Sequence, residues 1–291
     1  SVRGIGPGAV KSFGLGFAPD SWDALNRAMK EKGYTERELT EAALVRPGKK
    51  GGVYDTFRNR LMFPVIDVRG NVTGFSGRAL GDGEPKYLNS PETAVFSKSH
   101  QLFALNLAKK SKSGYIILVE GNIDVVTLHQ AGFDNTVASL GTSLTQEQAR
   151  LLSRYTNEIV IAYDADEAGK KAAQRAITLL EKLEMKVRVL TVQGAKDPDE
   201  YLRAKGADAF RNLLEKSENH IEYRLQAITG KYDLSVDEEK VAFLREATDL
   251  IAALPGAVER EVYAMRAAAM SGVSAEAVTG EVARRRKRKM A

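Results

Sequence analysis

The segment "ILVEGNIDVV", residues 117–126, is an apolar run that ends at a carboxylate, Glu120. Gly121 follows at once, and a second acid, Asp124, stands four residues after the first. A charge is rarely placed at the end of a buried strand without a partner, because burying an unpaired charge is costly. Gly121 suits a tight turn, and Asp124 falls in the first helical turn, where the helix dipole favours an anion. The segment therefore predicts a strand, a turn and a helix that carry a functional acid.

Strand and helix patterns alternate four times between residues 115 and 202. The predicted strands are "YIILVE", "NTVASLG", "EIVIAYD" and "KVRVLTV". The predicted helices are "IDVVTLHQA", "TQEQARLLSRY" with the capping-box pair Thr145 and Gln148, "EAGKKAAQRAITLLEKL", and a short one opened by "DPDEYLRAKG". This alternation with short connections predicts a parallel sheet covered by helices, and sites in such sheets form beyond the carboxyl ends of the strands.

The regions on either side of this alternation have different patterns. Residues 1–110 are rich in Gly and Pro, and the turn "VRGNV" joins two alternating runs, which predicts an antiparallel hairpin. From residue 206 onward the pattern is helical, with two amphipathic segments separated by Pro255-Gly256. We therefore predict an N-terminal α+β subdomain over residues 1–110, a parallel-sheet subdomain over 111–217 and a helical subdomain over 218–291.

Composition narrows the chemistry that the chain can perform. It has 291 residues, no cysteine, and three widely separated histidines, His100, His129 and His220. Disulfides, thiolate zinc sites and cysteine nucleophiles are excluded, and neither a His-based metal site nor a Ser-His-Asp triad is expected. Metal ligands should therefore be carboxylates, which favours Mg²⁺ or Mn²⁺. No apolar run reaches the roughly 20 residues that span a bilayer.

The charge balance favours a polyanionic partner mildly, since the net charge is +5. Part of the excess is the run "RRRKRK", residues 284–289, which we interpret as a solvated tail or linker, with non-specific phosphate binding as the alternative. The N-terminus has neither a signal-peptide core nor an initiator Met. We expect the chain to be part of a longer protein.

Acidic residues follow three of the four predicted strands. Because parallel strands present their carboxyl ends at one edge, these acids should converge there, and their repulsion should raise their pKa values unless cations lie between them. Structural explanations remain open: a solvated loop for the DxD pair, helix stabilisation for Asp124, and an N-cap for Asp197 with Pro198 and Glu200 behind it. The converging acids are Glu120, Asp164, Asp166, Asp197 and Asp199, with Asp124 beside them.

Four blocks of the chain, "VEGNIDVV", "ASLGTSLT", "YDADEAGKKAA" and "KDPDEYL", resemble a toprim domain. More narrowly they resemble bacterial DNA primases of the DnaG type, because "FRNRLMFPVIDVRGNVTGFSGRAL" and "PKYLNSPETAVFSKSHQLFAL" resemble the primase polymerase core. The likeness runs from Arg3 to residue 215. It implies an α/β fold with a toprim-type parallel sheet core, flanked by an N-terminal α+β basic subdomain and a C-terminal helical subdomain.

The resemblance also implies the activity and the site. A primase is a nucleotidyltransferase that joins ribonucleotides into short RNA primers on single-stranded DNA, using two or more divalent ions, Mg²⁺ or Mn²⁺. Glu120, Asp164 and Asp166 match the catalytic and metal-binding acids, with Asp124, Asp197 and Asp199 as further metal residues. The positions that match nucleotide and template contacts are Arg78, Lys86, Tyr87, Asn89 and Lys98.

Three further basic residues are weaker candidates for the site, and some of the candidates also have a purely structural explanation. Arg3, Arg58 and Arg60 could extend the basic surface, whereas Trp22, the only tryptophan, is expected to pack rather than to bind. Without the resemblance, we would interpret Tyr87 as a core residue and would pair Arg78 with a surface acid.

The expected partners are a single-stranded DNA template, ribonucleoside triphosphates and an RNA primer–DNA hybrid, in the bacterial cytoplasm at the replication fork and not at a membrane. We expect the replicative helicase to bind through a region absent from this chain.

The chain departs from the family pattern in two places. Asn122 replaces an aromatic residue and should alter packing rather than metal chemistry, and the family's cysteine-dependent zinc domain has no counterpart.

Three rival functions remain open at this point. Another toprim enzyme, such as a nuclease or a topoisomerase, would share the acids, but a topoisomerase needs an attacking tyrosine for which no context is evident. A non-catalytic nucleotide-binding module would keep the acids for structure only. An aspartyl-phosphate phosphotransferase built on "DAD", residues 164–166, is the weakest, because its downstream Thr and Lys pattern is not evident.

Overall fold

The computed structural model describes residues 4–49, 51–141 and 143–290. The chain forms two units, Ser1–Ser217 and Glu218–Ala291, each with its own core. Arg3, one of the weaker candidates for the basic surface, lies outside the described residues, as does the side chain of Lys289 in the basic run.

The first part of the first unit is built on a small antiparallel sheet. Its strands pair in the order β1-β4-β5-β6, while β2 and β3 form a separate pair. The predicted hairpin is confirmed as β4 and β5, and the Asp67 carboxylate closes its turn by accepting from the N–H groups of Arg69 and Asn71, both at 2.9 Å. The elements are α1 Pro7–Phe13, β1 Gly16–Ala18, α2 Ala24–Glu31, α3 Glu36–Glu41, β2 Val45–Pro47, β3 Val53–Asp55, β4 Arg60–Ile66, β5 Val72–Ala79, β6 Tyr87–Asn89 and α4 Leu105–Ala108.

The second part of the first unit contains the predicted alternation of strands and helices. Parallel pairing joins β10, β9, β7 and β8 in that order, which confirms the parallel sheet. The capping box of Thr145 and Gln148 is present, whereas α8 is longer than predicted and is interrupted at Gly206, whose backbone is not helical. The elements are β7 Ile116–Val119, α5 Asn122–Gln130, β8 Thr136–Ala138, α6 Gln146–Leu152, β9 Glu158–Ile161, α7 Glu167–Glu181, β10 Lys186–Val189 and α8 Pro198–Glu215.

A shared core fixes the antiparallel sheet against the parallel one. All four residues of β7 are buried, as expected for a strand covered on both faces. Phe103 contacts the rings of Phe13 and Phe63, with centroids 5.8 and 6.0 Å away, and its backbone N–H donates to Ala138 at the end of β8. Each such buried side chain contributes about 1.5–3 kcal/mol. The N-terminal residues are therefore held beside the strand ends that carry the acids.

The second unit is a bundle of helices around Phe243, which is fully buried. Pro255-Gly256 separates α10 from α11 as predicted. The prediction of a solvated tail for the basic run is wrong for two of its members. Arg285 is 19% exposed and pairs with Asp249 and Glu281, and Arg286 donates to the carbonyl of Ala252. The elements are β11 Glu218–Asn219, α9 His220–Thr229, α10 Asp237–Ala252, α11 Ala257–Ser271 and α12 Ala275–Met290. Within the described ranges, a helix long and apolar enough to cross a membrane is not found.

Candidate active site

Glu120 follows β7 and points into the turn that comes after β9. Its Oε1 accepts a hydrogen bond from the backbone N–H of Asp164 at 3.1 Å. Partial burial raises the pKa of Glu120, the Asp164 N–H opposes that shift, and the charge of Asp166 adds to it. The predicted neighbours, which are 44 residues apart in the chain, are therefore in direct contact.

Asp124 lies in the first turn of α5, behind Glu120. The turn requires Gly121, because a Cβ there would lie 2.5 Å from Asp124 Oδ2. Asp124 Oδ1 accepts from the N–H of Asp199 at 3.3 Å. Burial, and then the charges of Asp197, Asp164 and Asp199, raise the pKa of Asp124 to about 8. A buried acid in this state favours a proton or a cation nearby.

Asp164 and Asp166 form the loop between β9 and α7. Asp166 is the N-cap of α7, and its Oδ1 accepts from the N–H of Gly169 at 2.8 Å. Gly169 is required by close approach, since a Cβ there would lie 2.1 Å from the Asp164 carbonyl oxygen. Burial raises the pKa of Asp164 to about 6, and the charges of Glu120, Asp197 and Asp166 act in the same direction.

Asp197 and Asp199 begin α8, and the structure gives them different environments. Asp197 is the N-cap that its sequence context predicted, since its Oδ1 accepts from the N–H of Glu200 at 2.7 Å and Pro198 follows. Asp199 has a fully buried side chain and pairs with Arg203 at 3.2 Å. The structure therefore brings Asp197 to the wall of the cleft, whereas Asp199 does not line it and contacts Asp124 through its backbone N–H.

Four of the predicted acids, Glu120, Asp124, Asp164 and Asp197, line a cleft of about 340 Å³ between the two sheets of the first unit, whereas Asp166 and Asp199 do not line it. Sequence reasoning missed three lining residues, Lys196, Glu200 and Arg203, although all three stand in or beside "KDPDEYL". The Lys196 carbonyl accepts from the N–H of Ala165, which brings this segment against the DxD loop. The acidic lining residues are Glu120, Asp124, Asp164, Asp197 and Glu200, and Lys86, Tyr87, Lys196 and Arg203 complete the polar wall.

The cleft has the donor chemistry of a hard divalent cation. Its possible ligands are carboxylates, and those with raised pKa values repel one another, so a cation between them would relieve the repulsion. Within residues 4–49, 51–141 and 143–290, no three His, Cys, Asp or Glu side chains are already grouped around one ion position. Cation binding would therefore require carboxylate rotations, which are feasible at the partly exposed Glu120 and Asp164 and at the exposed Asp166.

The predicted nucleotide and template residues divide into two groups. Lys86, which is exposed, and Tyr87, which is half-buried, line the cleft. Three others do not line it. Asn89 donates to the Leu140 carbonyl at 3.2 Å, the backbone of Lys98 bonds to Glu92 and Gln148, and Arg78 lies beside Tyr87 in the sheet. In the described part of the chain the buried Nε of Arg78 has no hydrogen-bond partner.

The structure corrects the weaker prediction for Arg60 and shows where Trp22 packs. Arg60 is buried, and its Nη1 donates to the carbonyls of Gly77 and Pro85 at 3.0 and 2.8 Å, so it is a structural residue rather than part of a basic surface. The prediction for Trp22 is that it packs rather than binds, and it packs at the surface: it is 65% exposed, and its ring centroid lies 5.6 Å from that of Tyr54. The guanidinium of Arg58 lies 4.1 Å from the Trp22 ring centroid in a cation–π contact.

Family models match three successive parts of the chain. The model for the DNA primase catalytic core, N-terminal domain, matches residues 1–109, and a toprim-like model matches residues 117–202. A model for the DnaB-helicase binding domain of primase matches residues 221–276. This last match overturns the prediction that the region for the helicase is absent from the chain.

Relatives and solved structures agree with these matches. The DNA primase of Clostridium acetobutylicum is 43% identical over 277 residues, which is 95% of this chain and 46% of that protein. A DNA primase domain from Pseudomonas aeruginosa superposes with a TM-score of 0.80 at 35% identity, covering 98% of this chain and 90% of that one.

The RNA polymerase domain of Mycobacterium tuberculosis primase DnaG, in complex with a double-stranded DNA oligomer with a 6-nucleotide overhang, gives a TM-score of 0.82 at 34% identity. That match covers 94% of this chain and 88% of the other. The chain spans less than half the length of the curated relatives named DNA primase, at 46% and 43% for the first two.

Proposed function

The chain belongs to the family of DnaG-type DNA primases, and from this premise we propose that it synthesises short RNA primers on a single-stranded DNA template. Its substrates would be ribonucleoside triphosphates, and its product an RNA primer–DNA hybrid. The observation that carries the proposal is the cleft in which acids from the strand ends of the parallel sheet face Lys86 and Tyr87 from the antiparallel sheet. A polymerase of this kind must hold divalent ions, a triphosphate and a nucleic-acid strand at one place.

We assign the metal-holding role to Glu120, Asp164 and Asp166, with Asp124 and Asp197 as supporting acids. When bound, divalent ions would activate the attacking 3′-hydroxyl and neutralise charge on the phosphates. The N–H of Asp164 fixes one oxygen of Glu120, and the N–H of Gly169 fixes one oxygen of Asp166. These contacts position one oxygen of each carboxylate, and rotation of the carboxyl groups would bring an oxygen to a cation.

We assign binding of the nucleotide and the template to the basic side of the cleft. Lys86 suits a phosphate oxygen, because it donates a charge-assisted hydrogen bond, and Tyr87 suits stacking on a base or sugar. Arg78, with an unsatisfied Nε beside Tyr87, and Lys98 would contact the nucleic-acid backbone. Asn89 would support Tyr87 through its bond to the Leu140 carbonyl.

We further propose that residues 221–276 take part in binding a DnaB-type helicase, in keeping with the family model that matches them. That partner would place the chain at the replication fork in the bacterial cytoplasm. We also propose three subdomains, over residues 1–110, 111–217 and 218–291, of which the last is helical. The family matches at residues 1–109 and 117–202 support the boundary within the first unit.

The decisive experiment is ribonucleotide incorporation on single-stranded DNA, with and without Mg²⁺ or Mn²⁺. We expect divalent-dependent RNA products at high enzyme concentration, and no product with chelator. A chain that incorporates no ribonucleotide under any of these conditions would not be a primase core. Covalent trapping on DNA would instead indicate a topoisomerase-like enzyme, and metal-independent nucleotide binding without synthesis would indicate a binding module.

A further inference from the structure

The complete burial of the Asp199 side chain is not explained by a role as a metal ligand. Its side chain has no exposed surface, and it is not among the residues that line the cleft. A buried carboxylate is costly unless a cation and hydrogen bonds compensate it. The compensating cation is Arg203, one turn later on α8, whose Nη2 lies 3.2 Å from Asp199 Oδ2. The buried acid therefore anchors one end of the guanidinium.

Arg203 extends from this anchor to the wall of the cleft. Its side chain is 48% exposed, and it lines both the cleft of about 340 Å³ and a neighbouring cavity of about 500 Å³ that also touches Gln130 and Leu202. A guanidinium carries five N–H donors in a fixed fork. The contact with Asp199 uses one nitrogen of the guanidinium, Nη2. Among the described residues, no further hydrogen-bond partner of Arg203 is found. Because the Arg203 side chain is 48% exposed and lines the cleft, its other donors are accessible to a ligand there.

The charges in the cleft define what such a fork would bind. Five carboxylates line it against Lys86, Lys196 and Arg203, so divalent ions are needed before any anion can enter. Once the acids are neutralised, the three cationic side chains remain as donors for a polyanion. Arginine matches phosphate oxygens bidentately, and an anchor that fixes its geometry reduces the entropy lost on binding.

We propose that Arg203 binds the phosphate chain of the incoming ribonucleoside triphosphate and that Asp199 is its positioning residue rather than a metal ligand. This inference rests on the proposed function of the same cleft and deepens it. It extends the set of phosphate-binding groups from Lys86, beside the antiparallel sheet, to α8. Because the triphosphate chain is identical in all four ribonucleotides, a contact to it contributes equally to the binding of each.

The test measures binding of ATP, GTP, CTP and UTP in the presence of Mg²⁺ by calorimetry, together with Mn²⁺ binding by electron paramagnetic resonance. Arg203→Gln should weaken binding of each triphosphate about tenfold, the range expected when a charge-assisted phosphate contact is lost. Arg203→Lys should recover part of that loss. Mn²⁺ binding without nucleotide should stay within about twofold of the parent, because Arg203 is not a metal ligand.

Arg211 provides a matched control on the same helix. It is exposed and pairs with Asp208 three residues earlier, but it does not line the cleft. Arg211→Gln should therefore leave triphosphate binding within about twofold of the parent. The exposed ion pair that it removes contributes little. Equal losses for Arg211→Gln and Arg203→Gln would reduce the effect to general electrostatics and overturn the proposal, as would parent-like binding by Arg203→Gln. A loss confined to one base would overturn it too.

Asp199→Asn separates positioning from ligation. If Asp199 acts through Arg203, the variant weakens triphosphate binding, leaves Mn²⁺ binding unchanged, and adds nothing to the loss already caused by Arg203→Gln in the double variant. A large loss of Mn²⁺ binding would instead make Asp199 a metal ligand. The proposed function fails separately: a parent chain that binds triphosphates through Arg203 but incorporates none would retain this site and lose the primase assignment.

Discussion

The two units of the molecule differ in the kind of polar side chain that they bury. Among the described residues, the helical unit buries only two polar side chains, Thr248 and Ser271, and each donates to a carbonyl of its own helix. The first unit buries two acids near the cleft, Asp124 and Asp199, which lie close to further acids rather than to a matching number of cations. The described part of the helical unit therefore folds without a buried acid, whereas the first unit places two of them beside its cleft.

This difference identifies where function constrains the sequence. In the helical unit, charged residues stay at the surface in pairs such as Arg266 with Glu222 at 3.2 Å, and the core is formed by apolar side chains. In the first unit, burial and like charges raise the pKa values of Glu120, Asp124 and Asp164. Groups whose ionisation is unfavourable in the native state tend to cluster at functional sites.

Substituting Asp164 should produce the largest difference between activity and folding. Asp164→Asn keeps the shape and removes the charge, so we expect RNA synthesis to fall about 10³-fold or more, since metal-assisted charge stabilisation supplies several kcal/mol. The free energy of unfolding without divalent ions should not decrease, because the raised pKa of about 6 means that the charge is unfavourable in the native state. Ribonucleotide incorporation and thermal unfolding measure the two effects.

The helical unit provides the control for that prediction. Asp249→Asn removes a half-exposed acid that pairs with Arg285 at 2.6 Å. We expect synthesis within about twofold of the parent and a small loss of stability, because Arg285 keeps its pairing with Glu281. Near-normal synthesis by Asp164→Asn, or an equal loss in both variants, would contradict the assigned difference between the units.

Core truncations test whether the two units lose different functions. Phe243→Ala in the helical core and Phe103→Ala in the first core should each cost about 3–5 kcal/mol, because both remove a fully buried ring. The Phe103 ring packs against Phe63 of β4, so its truncation should loosen the packing between the two sheets and weaken Mn²⁺ binding in the cleft. Phe243→Ala should leave Mn²⁺ binding intact and reduce amide protection in α10.

Hydrogen exchange followed peptide by peptide, with Mn²⁺ binding on the same preparations, measures both outcomes. Loss of Mn²⁺ binding in Phe243→Ala would show that the cleft depends on the helical core. Unchanged Mn²⁺ binding in Phe103→Ala would show that the packing between the two sheets does not position the acids.

The parallel sheet and the acidic edge were predictable because their determinants are local. Continuous apolar runs, the capping box at Thr145 and the N-cap at Asp197 each lie within a few residues of the structure they specify. The order of parallel strands then brings their carboxyl ends to one edge, so the approach of Glu120 to Asp164 followed from topology alone.

What could not be predicted depends on contacts between distant segments. Arg60 is buried because the carbonyls of Gly77 and Pro85 accept its hydrogen bonds, and neither partner is visible from the sequence around Arg60. Trp22 is exposed because its neighbours are Tyr54 and Arg58 at the surface rather than a core. The different environments of Asp197 and Asp199 depend on the direction in which α8 begins, which the spacing does not specify.

The dependence of stability on pH should also differ between the units. An acid whose pKa is raised in the native state stabilises the fold below its ordinary pKa, and that stability is lost as pH rises through the native pKa. The ordinary value is 3.8 for both acids, so the window ends at about 6 for Asp164 and at about 8 for Asp124. In the helical unit, the pKa values of Asp233 and Glu281 are lowered, so their contribution changes only under more acidic conditions.

We therefore expect the melting temperature without divalent ions to fall by a few degrees between pH 5 and pH 8, and Mg²⁺ at pH 8 to restore it by binding the native state. Asp124→Asn should flatten this dependence, because it removes the acid with the largest shift. Calorimetric scans of both proteins across the pH range provide the measurement. A parent whose melting temperature rises steadily from pH 5 to pH 8 would contradict the assignment.

The smallest expected effect is a gain of stability in the helical unit, none of whose described residues lines the acidic cleft. Helix α10 begins after Val236, which is 40% exposed and provides no side-chain hydrogen bond to the first turn. Val236→Ser should supply the missing acceptor for a free N–H and stabilise the protein by about 0.5–1 kcal/mol, the usual range for an N-cap.

Asp166 gives the opposite case at the start of α7, where the N-cap is already an acid that accepts from Gly169 at 2.8 Å and is also a proposed metal residue. Asp166→Ser should retain most of the cap and lose synthesis, whereas Val236→Ser should gain stability and leave synthesis unchanged. Denaturant unfolding and ribonucleotide incorporation on both variants provide the comparison. If Val236→Ser altered synthesis, or if Asp166→Ser left it intact, helix capping and metal binding would not be separate roles of these two positions. The proposed difference between the two units would then be wrong, because the start of each helix would affect both stability and synthesis or neither as assigned.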